Sequence, residues 1–219
     1  MFIGHFGTAF GAKALAPRVS LGTLFIAAQF IDLLWPVLLL LGLEQVSIVP
    51  GITRVTPLDF TSYPISHSLL MVCLWGAVVG GAYWLVRRNR TAAVTLGLLV
   101  ISHWVLDFFT HRPDLPLTPV GETRVGLGLW GSPVGTVLLE GGIFAFGVFF
   151  YLRASRARDR IGTWAFWGLV AFLLLVYAAN LAGDPPPSVT AIAWAGQLQW
   201  LFVLWGYWVD RHRVARVIP

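Results

Sequence analysis

Six apolar runs of about 20 residues constrain this chain more than any other feature, because a helix of that length crosses the hydrocarbon core of a bilayer. The runs cover residues 20–43, 67–86, 92–111, 133–152, 161–182 and 189–209. Only 11% of the 219 residues are charged and the mean hydropathy is +0.76, whereas a soluble domain carries about 25% charged residues. The sequence therefore predicts an all-α, polytopic transmembrane helix bundle with six long spans.

Basic residues separate the two ends of the predicted helices. Most of the 15 basic residues fall at one end of the runs, which the positive-inside rule assigns to the cytoplasm together with the C-terminus. They are Lys13, Arg18, Arg87, Arg88, Arg90, Arg153, Arg156, Arg158, Arg160, Arg211, Arg213 and Arg216. Membrane orientation thus explains the net charge of +5, and we expect no nucleic-acid partner.

Residues 1–16 form a further apolar segment that is too short for an ordinary span. A secretory signal carries its positive charge before the apolar part, but Lys13 and Arg18 come after it, so we expect the segment to stay attached. We predict a short helix that starts on the outer side and forms a hairpin with the next helix, its close approach permitted by Gly4, Gly7 and Gly11. A helix on the inner membrane surface is the alternative.

Three ionisable residues, His103, Asp107 and His111, interrupt the run 92–111 at intervals of four. On an α-helix this spacing places all three side chains along one face. Ionisable groups within an apolar span are costly, so they normally face a partner, a cavity or an ion. His111 stands at the end of the run, and a helix end in water explains it equally well.

Other ionisable residues are predicted to lie at a similar depth, in the outer half of the bilayer. His5 and Asp32 stand at equal distances from the expected hairpin turn, and Glu140 lies about 10 Å from the outer end of its helix. His67 opens its helix at the outer rim. We therefore predict one site assembled from several helices.

Imidazole and carboxylate groups together suit zinc, and iron or manganese also accept this mixture. The predicted metal ligands are His5, His67, His103, Asp107 and Asp32. A carboxylate that does not bind the ion would serve as general base: Glu140, or Asp32 where it is not itself a ligand. The set exceeds the needs of one tetrahedral ion, so a single ion with supporting carboxylates and a two-ion site both stay open.

Residues outside the predicted helices could contact or enclose a substrate. Arg112 follows the ionisable stripe directly and is the predicted contact for an anionic group of the substrate. The outer loops 44–66 and 112–132 are long and rich in Pro, so they are either lids or simple connectors. Ser66 and Ser68 flank His67, but the chain contains neither a G-x-S-x-G element nor a phosphate-binding P-loop.

Several short motifs within residues 1–152 resemble the membrane-bound metal-dependent hydrolases of bacteria and archaea. The motifs are Gly4-His5, the segment 27–32 ending in Asp32, Ser66-His67-Ser68, and His103 with Asp107 followed by Pro113. The resemblance implies that His5 and Asp32 belong to one metal site with His103 and Asp107. It also implies the cytoplasmic membrane of a prokaryote.

The leading hypothesis is a metal-dependent hydrolase that acts on a lipid-linked or amphiphilic ester or phosphoester at the outer face. A proton- or metal-coupled transporter that uses the same buried residues is the alternative, and a scaffold with one buried hydrogen-bonded cluster is a third class. We predict a single domain over residues 1–219, in which residues 1–152 carry the site and residues 153–219 form a scaffold. The oligomeric state is left open.

Overall fold

The computed structural model describes residues 1–216 and shows a mostly helical chain. The last three residues of the predicted domain lie outside this range. The helices are α1 (Ile3–Ala12), α2 (Leu21–Ala28), α3 (Phe30–Leu40), α4 (Pro64–His67), α5 (Leu69–Arg87), α6 (Arg90–Thr110), α7 (Pro133–Ala154), α8 (Arg160–Ala182), α9 (Val189–Gln197) and α10 (Gln199–Arg211).

Three short antiparallel strand pairs connect helix ends. They are β1 (Gln45–Ile48) with β2 (Leu58–Ser62), β3 (Leu115–Pro116) with β4 (Arg124–Val125), and β5 (Ser155–Ala157) with β6 (Arg213–Ala215). The third pair lies where α7 ends, α8 begins and α10 ends, which we call the arginine end of the bundle. The other two pairs lie at the opposite end, which we call the site end.

The six long spans expected from the sequence are not confirmed. Four helices, α5 to α8, are long and apolar enough to cross a membrane, and the count rises to five if α2 and α3 form one span bent by 57°. The predicted run 189–209 is divided at Leu198 into α9 and α10, which are each too short to cross alone. The bundle is therefore multi-pass but less regular than predicted.

The bend between α2 and α3 is centred on Gln29. Gln29 leaves the helical region, with φ −100° and ψ 9°. Farther along, Pro36 has no N–H to donate to the carbonyl of Asp32, and the side-chain amide of Gln199 donates to that carbonyl instead, at 3.3 Å. The interrupted helix is thus stabilised by a neighbouring helix.

Helix α1 lies inside the bundle, so the alternative of a surface helix is wrong: His5, Phe6 and Phe10 are each 0% exposed. The hairpin prediction implied that α1 packs mainly on α2, the next helix in the sequence. In the structure α1 also contacts α2, but it packs most extensively on α7. A Cβ atom added to Gly147 of α7 would lie 1.9 Å from the carbonyl oxygen of Gly7. Glycines on both helices permit this approach.

Aromatic side chains fill the interior between the two ends of the bundle. The ring of Phe10 meets Phe25, Phe144 and Phe166 edge-on, with centroids 5.2 to 5.8 Å apart. These geometries are favourable for aromatic pairs, and Phe10, Phe25 and Phe166 are completely buried. The middle of the bundle is therefore a packed apolar core.

A polar cluster fixes the N-terminal segment at the arginine end. Asp210 of α10 forms an ion pair with Lys13 and accepts a hydrogen bond from the backbone N–H of Leu21 at 2.8 Å. Its second oxygen accepts from the Tyr151 hydroxyl at 2.7 Å. Lys13 also donates to the carbonyl of Val19 at 2.7 Å, so the turn between α1 and α2 is held in place.

Candidate metal centre

The structure brings together the five residues predicted as metal ligands. His5 comes from α1, Asp32 from α3, His67 from the end of α4, and His103 and Asp107 from successive turns of α6. All except Asp32 are 3% exposed or less. His103 and Asp107 lie about 10 and 5 Å from the end of α6, so the cluster lies near the site end.

Nitrogen and oxygen atoms in the cluster are spaced like the ligands of one ion. The Nε2 atoms of His67 and His103 each lie 3.5 Å from a carboxylate oxygen of Asp32, and 3.8 and 3.2 Å from Oδ2 of Asp107. A tetrahedral ion with bonds of about 2.1 Å separates its ligands by about 3.4 Å. Most of these separations exceed the usual N–H···O hydrogen-bond length of about 2.9 Å.

The second nitrogen of His103 fixes the proton on its ring. Nδ1 lies 2.6 Å from the carbonyl oxygen of Ala28. A carbonyl oxygen only accepts hydrogen bonds, so Nδ1 carries the proton. In the neutral ring, Nε2 then carries a lone pair that is directed at Asp32 and Asp107. Nε2 has no hydrogen-bond partner within residues 1–216.

A relay of hydrogen bonds also determines which ring nitrogen of His67 carries the proton. The Ser66 hydroxyl donates to Oε2 of Glu44 at 2.6 Å, so its oxygen accepts the proton of His67 Nδ1 at 2.7 Å. Glu44 is 2% exposed, and its Oε1 accepts the backbone N–H groups of Ile65 and Ser66 at 2.8 Å each. The relay leaves Nε2 of His67 unprotonated and facing the cluster.

The end of α3 explains how Glu44 reaches the interior. Gly42 adopts φ +71°, Gly42 N–H bonds the carbonyl of Leu39, and Leu43 N–H bonds the carbonyl of Leu38. This hydrogen-bond pattern is a Schellman motif, which stops the helix and reverses the chain. Glu44 therefore points back toward Ser66 rather than into solvent.

His111 joins the periphery of the cluster. Its Nδ1 lies 2.9 Å from Oδ1 of Asp114, while Nε2 lies 4.0 Å from Oδ1 of Asp107. The hydroxyl of Tyr63 also donates to Asp114, at 2.9 Å. Burial, and then the Asp114 carboxylate, raise the pKa of Tyr63 well above its ordinary value, so the hydroxyl remains a donor.

His5 lies on the other side of Asp107. Its Nε2 is 3.1 Å from Oδ1 of that residue, and its ring stacks on His103 with centroids 3.4 Å apart. The backbone nitrogen of Met1 lies 2.7 Å from the same Oδ1. Nδ1 of His5 is buried and has no partner within the described chain.

Taken together, these donors fit a divalent cation. When their rings are neutral, His67 and His103 present lone pairs to two carboxylates. Negative oxygens facing lone pairs repel one another unless a cation lies between them. Imidazole with carboxylate suits zinc, and iron or manganese also accept it.

Glu140 is brought to the site but not into the ligand cluster. Its Oε2 accepts the backbone N–H groups of Phe2 and Gly4 at 2.7 and 3.4 Å. These are free donors at the start of α1, which has no side-chain cap of its own. Glu140 therefore holds α1 against α7, and it also lines the cavity described below.

Arg112 is not brought to the site. Its guanidinium is ion-paired with Asp59 and Asp114, and the residue does not line the cavity. These bonds join the β1–β2 hairpin to the end of α6. The contact between Arg112 and substrate stays a prediction, and the pairing of its guanidinium with two carboxylates disfavours it.

A cavity of about 650 Å³ lies against the centre. Asp32, His67 and Asp107 form part of its wall, and Asp32 is the most exposed of them, at 24%. The loop between β1 and β2 and the segment after α8 also line it. Helix α8 and the segment that follows it, predicted as scaffold, thus help to enclose the site.

Residues 64–183 match the family described as YdjM inner membrane protein. The chain belongs to the YdjM inner membrane protein family. No curated protein and no solved structure matches it. With the apolar helices, the family assigns the chain to the inner membrane as a multi-pass protein. The matched part of the chain contains His67, His103 and Asp107 but neither His5 nor Asp32.

Sequence reasoning missed three groups that hold the histidines of the cluster and its periphery: the carboxylates of Glu44 and Asp114 and the carbonyl of Ala28. Glu44 carries a weak signal, because it is an acid directly after an apolar run. A carbonyl group carries no signal at all, because every residue has one.

Proposed function

We propose that this protein is a membrane-embedded, metal-dependent hydrolase of a lipid-linked or amphiphilic ester or phosphoester. The basic residues at the arginine end indicate, by the positive-inside rule, that the site end faces outward. That orientation puts the C-terminus in the cytoplasm and the start of α1 on the outer side.

One observation carries the proposal. The Nε2 atoms of His67 and His103 face the carboxylates of Asp32 and Asp107 at 3.2 to 3.8 Å, while both Nδ1 atoms are held by acceptors. Such supporting hydrogen bonds are typical of histidines that bind metals.

The residues have distinct roles in this proposal. His67, His103, Asp107 and Asp32 hold a divalent cation, zinc by preference, and His5 completes the wall on the far side of Asp107. The cation supplies Lewis acidity, which activates water and polarises the scissile group. Glu140 lines the cavity outside the ligand set and accepts the proton of water as general base. Asp32, the most exposed carboxylate of the centre, is the second candidate for that role.

Transport remains the second candidate because of the bend between α2 and α3. Broken helices beside a buried ion site are common in transporters, and Ala28, which contacts His103, lies directly before the bend. The aromatic core around Phe10 opposes this candidate, since it fills the bundle between the centre and the arginine end. Uptake of labelled zinc into sealed proteoliposomes would favour transport.

Metal content tests the proposal directly. We expect purified protein to hold stoichiometric zinc, iron or manganese by elemental analysis, and His103→Ala and Asp107→Asn to lose it. His212→Ala is the matched control, because His212 lies at the arginine end, paired with Asp159. Protein without metal, or variants with unchanged content, would reject the centre. Retained metal in Glu140→Gln with lost ester hydrolysis would support the assigned base.

A further inference from the structure

The cavity beside the centre contains one cationic side chain that the protein leaves unpaired. Arg54 lines the cavity from the loop between β1 and β2. No carboxylate within residues 1–216 lies within ion-pair distance of its guanidinium. Arg112, in contrast, is neutralised by two aspartates.

The backbone at Arg54 is fixed by the structure around it, and the side chain is exposed at the wall of the cavity. Its backbone N–H donates to the carbonyl of Trp130 at 3.1 Å. Arg54 also lies within a turn in which Thr53 Oγ1 accepts the N–H of Thr56 at 2.8 Å and donates to its carbonyl at 2.7 Å. Trp130 in turn packs on His111, with ring centroids 4.2 Å apart. The arginine is therefore connected to the periphery of the centre.

A second group in the cavity also lacks a protein partner. Tyr177 of α8 lines the cavity, and its hydroxyl is buried without a hydrogen bond in the described chain. A buried hydroxyl is costly unless something accepts its proton. Because the group adjoins a cavity, a ligand can supply that acceptor.

The remaining walls determine what else the ligand must be. Trp35, Phe60 and Trp130 contribute apolar surface on the loop side, and Leu181 and Ile192 contribute it on the side of α8 and α9. The other charged side chains of the lining, including Asp32, Asp107 and Glu140, are acidic. The ammonium of Met1 also lines the cavity but is paired with Asp107, so an anionic group binds next to Arg54 and the cation of the centre, with its apolar part along the aromatic walls.

We propose that the substrate is a phosphate-bearing amphiphile, whose phosphate is bound by Arg54 and Tyr177. The proposal rests on the proposed function, since it takes the cavity as the substrate site of the metal centre. Arginine suits this role because its planar guanidinium binds phosphate oxygens through two parallel hydrogen bonds. The tyrosine hydroxyl donates a further bond. Both residues are specificity-determining and neither takes part in the chemical step.

Calorimetric titration in an uncharged detergent tests this assignment with dioctanoyl phosphatidate as the probe. Arg54→Gln and Tyr177→Phe are each expected to weaken binding about tenfold or more, since each removes a hydrogen bond to a charged group. Arg124→Gln is the matched control: Arg124 lies on β4, bonds backbone carbonyls and does not line the cavity. Equal affinity of Arg54→Gln and the unchanged protein would overturn the assignment.

Two further probes identify the source of the phosphate. Dioctanoylglycerol, which has the same chains without phosphate, is expected to bind at least about tenfold more weakly. Inorganic phosphate is also expected to bind more weakly than phosphatidate, because it leaves the apolar walls unoccupied. Equal binding of the glyceride would reject the phosphate contact, and equal binding of inorganic phosphate would reject the amphiphile.

Chelator-treated protein separates this proposal from the metal centre. The affinity ratio between the unchanged protein and Arg54→Gln is expected to persist without metal, because the guanidinium contact does not involve the ion. If the protein binds no metal but keeps this ratio, the proposed hydrolase fails and the phosphate site stands. If the protein binds metal but Arg54→Gln binds phosphatidate as tightly as the unchanged protein, the phosphate site is rejected and the metal centre stands.

Discussion

Replacing Glu44 with glutamine tests the relay that controls His67. The near-isosteric amide keeps one oxygen, which can still accept the backbone N–H groups of Ile65 and Ser66. Its NH₂ group then occupies the position of Oε2, 2.6 Å from the Ser66 hydroxyl oxygen. Since NH₂ is a donor, the Ser66 hydroxyl must turn and donate to Nδ1 of His67. The proton of the imidazole moves to Nε2, which can no longer bind a cation.

The expected effect of Glu44→Gln follows from this reversal. Loss of a supporting interaction typically weakens metal affinity by about 10- to 100-fold, which corresponds to about 1.4 to 2.7 kcal/mol. Competition with a chromophoric zinc chelator measures this affinity in detergent solution. The thermal midpoint of metal-free protein should change little, because both backbone hydrogen bonds to the side chain remain.

Ser66→Ala supplies the control for the direction of the relay. Without the hydroxyl, the substitution at Glu44 can no longer reverse the proton on His67, so its additional effect should be small. The double-mutant cycle should therefore give a coupling energy of about 0.5 to 3 kcal/mol. Zinc affinity within twofold of the unchanged protein in Glu44→Gln would refute the reasoning, as would equal effects of that substitution in both backgrounds.

Two other predictions concern the arginine end and the packing of α1. Asp159 has a pKa below its ordinary value, chiefly through the hydrogen bond from His212. Its stabilisation is present above its unfolded pKa and is lost as pH falls through its folded pKa, so thermal midpoints should fall below about pH 4. Asp159→Asn should reduce that dependence, to which other paired carboxylates also contribute. An unchanged pH profile in the variant would contradict the prediction. Gly147→Ala should destabilise the protein by about 1 to 3 kcal/mol and reduce its metal content, because the new Cβ would meet the carbonyl of Gly7. Gly141→Ala, on the same helix with open space around it, should do neither in denaturation and elemental analysis.

The local sequence pattern was sufficient to predict features that depend on a single helix, such as its bounds and the residues that share a face. Hydropathy predicted α5 to α8 closely, because each run is largely apolar and bounded by caps such as Asn89 and Ser132. The interval of four between His103 and Asp107 likewise predicted that they share a face, and their side chains lie 3.2 Å apart.

The hydropathy pattern did not predict where breaks in a helix change the course of the chain. An apolar run of spanning length does not show that Gln29 or Leu198 will interrupt it, because glutamine and leucine both favour helices by type. The packing partner of the short helix α1 could not be predicted from the sequence either. Its glycines predicted a close approach, but the partner is α7, more than a hundred residues away.

The sequence by itself determined that the chain enters a membrane, which helices are longest, and that ionisable groups interrupt the apolar runs. Only the tertiary structure decided which groups meet. The relay from Glu44 to His67, the pairing of Arg112 and the unpaired Arg54 all depend on where connecting loops return. A loop's path is determined by packing and hydrogen bonds between distant segments, and such contacts leave no periodic signal in the sequence.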